Sequence, residues 1–122
     1  AESIIQIFPQ LRGKLAATSY RVPVADGSMI DLTVELNKTA TRDDINESFR
    51  RAAAKQLKGI LTVSDDPLVS ADIIGTTYSA IVDSQLTEVM DNNLAHVVAW
   101  YDNLNAYCLR LVDLCEYMAS RL

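Results

Sequence analysis

Hydrophobic positions along this chain change period several times, and each change predicts an element. Near the start, Ile4, Ile5, Ile7, Phe8 and Leu11 predict a short helix over residues 2–11, distorted at Pro9 and ended at Gly13. The run LAATSYRV over residues 15–22 reads as a strand, and PVADG over residues 23–27 must turn. Residues 29–36 carry the clearest alternation. Ile30, Leu32, Val34 and Leu36 point one way, while Asp31, Thr33 and Glu35 point the other. One buried and one polar face is the pattern of an antiparallel sheet.

From Thr41 to Lys58 the period returns to that of a helix, with Ile45, Phe49, Ala52, Ala53 and Leu57 as the inward stripe. Thr41 is a suitable N-cap, Asp43 and Asp44 favour the first turn, and Gly59 ends the helix. Glu47 and Arg51 form an i,i+4 pair worth about 0.2–0.5 kcal/mol. Short strands are expected at Ile60–Val63, within Leu68–Ile73, at Tyr78–Val82 and at Thr87–Met90. Asp91-Asn92-Asn93 is a turn, Leu94–Tyr101 a strongly apolar strand, and Leu104–Arg121 a final helix. On that helix Leu104, Tyr107, Cys108, Leu111, Cys115 and Met118 share a side.

Connections such as Asp26-Gly27 and Asp91–Asn93 are too short to cross over between parallel neighbours. The expected fold is therefore α+β, a mostly antiparallel sheet with helices packed on one face. No repeat, low-complexity stretch or linker divides the chain, so residues 1–122 read as a single domain.

Composition narrows the function. Hydrophobic residues make up 49% of the chain, enough for a core, and charged residues 22%, which argues against disorder. A formal net charge of −5 with scattered basic residues excludes an ordinary nucleic-acid binder. No apolar run approaches membrane-spanning length and no secretory signal is visible, so the expected location is the cytoplasm.

Cys108 and Cys115 lie two turns apart on one helix, too far to form a disulfide with each other, and they read as small core residues. His96 is the single histidine and lies in a strand-like run with no visible orienter. One His and two Cys at this spacing support no metal site. No nucleophile–base pair and no Gly-rich phosphate loop is present, so no catalytic residue is assigned within the chain.

Two strings stand out: Tyr20-Arg21-Val22-Pro23 and Trp100-Tyr101-Asp102-Asn103. With Gly13-Lys14-Leu15, Asp31-Leu32-Thr33, Leu57-Lys58-Gly59-Ile60-Leu61, Leu68-Val69-Ser70-Ala71-Asp72 and Arg110-Leu111-Val112-Asp113-Leu114, they form an ordered series spanning Leu11 to Leu122. This series resembles the C-terminal part of the catalytic domain of phosphorylating glyceraldehyde-3-phosphate dehydrogenases. The resemblance implies a preceding dinucleotide-binding domain, and a segment carrying the nucleophilic cysteine and histidine base, both outside these 122 residues.

Residue by residue, the resemblance implies that Arg21 binds the substrate phosphate, for which a guanidinium fork is well shaped. It implies that Asn103 hydrogen-bonds the nicotinamide carboxamide of NAD, since an amide offers both donor and acceptor. Asn103 is also a suitable N-cap for the final helix. Tyr107 matches a tyrosine near the catalytic pocket, and also suits a core position. After Asn103 the family usually continues with a glutamate, an aromatic and a glycine. Leu104, Asn105 and Ala106 depart from this and suggest a divergent branch.

The implied parent oxidises glyceraldehyde 3-phosphate with NAD and inorganic phosphate in glycolysis, through attack of its cysteine on the aldehyde. This chain would contribute phosphate binding, nicotinamide orientation and subunit packing, and alone would be inactive. A homo-oligomer is implied, a tetramer for the parent and a dimer for this domain. Erythrose-4-phosphate dehydrogenase and a non-catalytic oligomerisation module of the same fold are the alternative readings.

Overall fold

The computed structural model describes residues 2–122. Helix α1 (Glu2–Ile7) runs into a 3-10 turn at Pro9–Leu11, as the proline requires. Strand β1 (Ser28–Glu35), helix α2 (Arg42–Ala54), strand β2 (Leu61–Ser64), a 3-10 turn at Ser70–Ile73, strands β3 (Ala80–Met90) and β4 (Leu94–Tyr101), and helix α3 (Asn105–Ala119) follow. The strands form one sheet in the order β1-β4-β3-β2. β4 is antiparallel to both neighbours, and β2 lies parallel to β3. The expected α+β class holds, in a mixed sheet. The parallel pair is reached through residues 65–79, long enough for the crossover that short turns cannot make.

Asp91 and Asn92 turn the β3–β4 hairpin with φ of 49° and 63°. Asn and Asp tolerate that left-handed region, so the three-residue signal in the sequence becomes the turn it predicts. At α2, Thr41 Oγ1 accepts from Asp44 N–H, and the Asp44 carboxylate accepts from Thr41 N–H, a reciprocal capping box. α2 ends at Ala54 rather than Lys58, because residues 55–60 tighten into turns before Gly59 at φ +77°.

The core lies between α2 and one sheet face. Leu61, Val82 and Val97 are buried there, against Ile45, Phe49, Ala53, Leu57, Val63, Ala80 and Ala99. α2 covers β2 and β3 but leaves β1 bare. Ile30, Leu32 and Val34, expected to be buried, are 52%, 43% and 37% exposed.

Several expectations are corrected. Residues 15–22 are irregular, not a strand, because a strand needs a neighbour to satisfy its backbone and no strand of this sheet pairs with them. Leu68–Ile73 holds a 3-10 turn, where the Asp72 carboxylate accepts from Val69 N–H. The two strands expected at Tyr78–Val82 and Thr87–Met90 are one, interrupted between Asp83 and Glu88. There the Asp83 carboxylate takes the N–H groups of Gln85 and Leu86. Arg42 and Asn46 of α2 donate to the Ser84 carbonyl, and Thr87 donates to Asn46 Oδ1 at 2.8 Å. This is a bulge in which side chains partner the Ser84 carbonyl and the Gln85 and Leu86 N–H groups.

α3 also departs from expectation. Only Ala106 is fully buried, while Leu104, Tyr107, Leu111 and Met118 are exposed, as are Cys108 and Cys115. α2, not α3, supplies the helical cover of the sheet.

Candidate functional site

Three of the elements meet where β4 ends. Asp102 leaves β4 and is only 2% exposed. Its carboxylate accepts from Gly75 N–H at 2.8 Å on one oxygen, and from Leu104 N–H at 2.9 Å and Asn105 N–H at 2.8 Å on the other. The last two are the free donors of α3's first turn, so Asp102 caps the helix. Asn103, expected as a cap, is released from that role and its side chain turns outward. Its Oδ1 accepts from the Ser28 hydroxyl at 3.1 Å, at the first residue of β1.

A second layer fixes this junction. Gly27 runs at φ +93°, and an added Cβ would lie 3.1 Å from Ile73 Cδ1 and from the Ser70 carbonyl. The entrance to β1 is thereby pressed onto the Ser70–Ile73 turn, where Ile73 is completely buried. Asn105 Nδ2 donates to the carbonyls of Gly75 and Thr76 at 3.0 and 2.9 Å. Asn105 is one of the residues that depart from the resembled pattern, and here it ties α3 to the loop that Asp102 grips.

The three residues singled out in the sequence are placed differently. Asn103 is in the junction. Tyr107 lies on the next part of α3 and is 63% exposed, not a core aromatic. Arg21 stands on the irregular exposed segment before β1. Among the described residues no hydrogen bond or ion pair engages its guanidinium, and none links it to Asn103 or Tyr107. Two surface hollows, of about 360 and 460 Å³, lie along β2, and none of the three residues lines either.

Sequence reasoning missed Ser28, Gly75 and Asp102. Asp102 carried a readable signal, since Asp caps as well as Asn. Ser28 and Gly75 carried none, because their roles depend on the pairing of distant segments. His96 has an orienter after all: its Nε2 stands 2.7 Å from Asp31 Oδ1 across the β1–β4 pair. That pair is a cross-strand contact. Among the described residues, no group of His, Cys, Asp and Glu is arranged to hold a metal.

The hydrogen bonds from Gly75 first, then from Asn105 and Leu104, hold the Asp102 carboxyl below its ordinary value of 3.8, against the opposing effect of burial. A carboxyl depressed on folding stabilises the fold above its unfolded pKa, and loses that contribution as pH falls through the folded value. Acid melting of the chain should therefore steepen below about pH 3.8. Asp102→Asn should lower stability at neutral pH and flatten that region, while Asp44 and Asp65, depressed in the same direction, keep part of the slope. Melting curves of the two proteins from pH 7 to pH 2.5 make the comparison, and superimposable pH profiles would remove Asp102 from this role.

Residues 1–103 match the family model described as glyceraldehyde 3-phosphate dehydrogenase, C-terminal domain. A glyceraldehyde-3-phosphate dehydrogenase of Mycobacterium avium is 48% identical over 122 residues, covering 100% of this chain and 36% of that relative. Glyceraldehyde-3-phosphate dehydrogenase 1 of Bacillus cereus is 45% identical over 121 residues, covering 99% of the chain and 36% of the relative. The chain thus spans about a third of the length of the curated relatives it matches. No described helix is long and apolar enough to cross a membrane.

Proposed function

Because the chain belongs to the glyceraldehyde-3-phosphate dehydrogenase family, through that family's C-terminal domain, we propose that it supplies the substrate-phosphate and nicotinamide contacts of an NAD-dependent phosphorylating dehydrogenase. The observation that carries this reading is the outward amide of Asn103, fixed on a turn whose capping duty Asp102 has taken over. An amide held in this way can bind a carboxamide through one donor and one acceptor. NAD, when bound, supplies the hydride acceptor, and the chain's own contribution is orientation. Arg21 offers an uncommitted guanidinium for a phosphate, with the planar fork that such a group favours. Tyr107 lies on the exposed side of α3 and lines the same pocket in this reading.

Neither cysteine has the surroundings of a nucleophile. Cys108 and Cys115 are exposed on α3, and the histidine is paired with Asp31 on the sheet. The full-length protein that this reading implies should form NADH from glyceraldehyde 3-phosphate, NAD and phosphate. The 122-residue chain alone should stay at the no-enzyme blank. Turnover by the isolated chain, or none by the full-length protein, overturns the reading.

The bare apolar stripe of β1 supports subunit packing as a further contribution. Ile30, Leu32 and Val34 continue the core-facing side of the sheet beyond the reach of α2. In this reading the isolated chain forms a two-fold, self-complementary dimer through that stripe, burying more than about 1,000 Å² in total. Sedimentation at micromolar concentration tests this, and a strictly monomeric species argues that the stripe meets another part of the full-length protein instead.

A further inference from the structure

We infer that Ser28 is a positioning residue for the Asn103 amide. The inference rests on the reading that Asn103 acts at the nicotinamide. Asn103 lies on an exposed turn between Asp102, which grips the Gly75 N–H, and the Leu104 and Asn105 N–H groups that the same carboxylate holds. That fixes the main chain but leaves the side chain free to rotate. A free amide must surrender rotamer freedom whenever it engages a ligand, and that loss weakens binding.

Ser28 removes that freedom in advance. Its hydroxyl donates to Asn103 Oδ1 at 3.1 Å. This leaves the amide nitrogen, which has no protein acceptor among the described residues, and the second lone pair of Oδ1 for a ligand. The serine is itself held in place. It opens β1 directly opposite Tyr101 of β4, and the preceding Gly27 is pressed against Ile73 and the Ser70 carbonyl. Asp26 Oδ1 accepts from Gly27 N–H at 2.7 Å and fixes the approach to the strand. The hydroxyl therefore sits on a rigid edge, and the contact joins residues 75 positions apart.

A merely structural serine and a positioning serine differ in one measurable respect. The effect of a positioning residue passes through Asn103 and vanishes when the amide is gone. In the full-length protein, Ser28→Ala should lower kcat/KM for NAD about three- to tenfold, the worth of one neutral hydrogen bond. KM for the phosphorylated aldehyde should hold. Ser28→Thr, which keeps the hydroxyl and suits a strand, should restore most of the loss. Asn103→Ala should cost about tenfold or more, and adding Ser28→Ala to it should cost nothing further. If Ser28→Ala costs as much in the Asn103→Ala background as in the native one, the serine is structural and the inference is overturned. If Asn103→Ala itself leaves kcat/KM for NAD unchanged, the reading of Asn103 fails first and takes the inference with it.

Discussion

Replacing Arg21 by alanine in the full-length protein should lower kcat/KM for the phosphorylated aldehyde about 10- to 150-fold, and leave KM for NAD near its native value. A hydrogen bond to a charged group is worth about 1.5–3 kcal/mol, and each 1.4 kcal/mol is about tenfold. Arg21 is well suited to give the whole of that effect, because no carboxylate among the described residues shares its charge. Arg21→Lys should fall between the two, since an ammonium keeps the charge but loses the two-pronged geometry. Steady-state kinetics with each substrate varied in turn separates the cases. Unchanged efficiency toward the aldehyde in Arg21→Ala would remove the residue from the site.

The largest effect on stability should come from Ile73→Ala. Ile73 is fully buried at the end of a 3-10 turn, with Gly27 pressed directly onto its side chain. Truncating a buried isoleucine to alanine costs about 2–5 kcal/mol, the spread depending on how far the site collapses. Collapse is restricted here, because the Asp102 bond to Gly75 N–H holds the chain immediately beyond the turn. Ile73→Val should cost only about 0.5–1.5 kcal/mol. Urea unfolding of both variants measures the difference, and a cost for Ile73→Ala below that of Ile73→Val would show that the turn closes over the void.

Elements with a local cause were legible in the sequence. The capped start of α2, the Asp91–Asn93 turn and the apolar β4 depend on residues near one another in the chain, and each forms where expected. What depended on partners was not legible. Residues 15–22 have strand composition but no neighbour, and composition cannot supply one. The bulge at Asp83–Thr87 exists because Arg42 and Asn46 of another element satisfy its carbonyl. β2 lies parallel to β3 because the intervening loop is long, a fact the short turns elsewhere obscured. In the candidate site, Asn103 was found through its string, but its anchor was not. Ser28 is an ordinary residue in sequence and becomes specific only through the β1–β4 register.

The strand order has a consequence for how the chain comes to be folded during synthesis. Among the described residues β4 is the last strand of this sheet in chain order, yet it lies inside the sheet and is the sole neighbour of β1. Within this sheet β1 therefore has no partner until Tyr101 has emerged. Ordering of β1 in this sheet waits on β4, the kind of distant pairing that slows folding and leaves intermediates prone to association. The same wait applies to the contact between Ser28 and Asn103, so the Asn103 amide is held only in a chain whose sheet is complete.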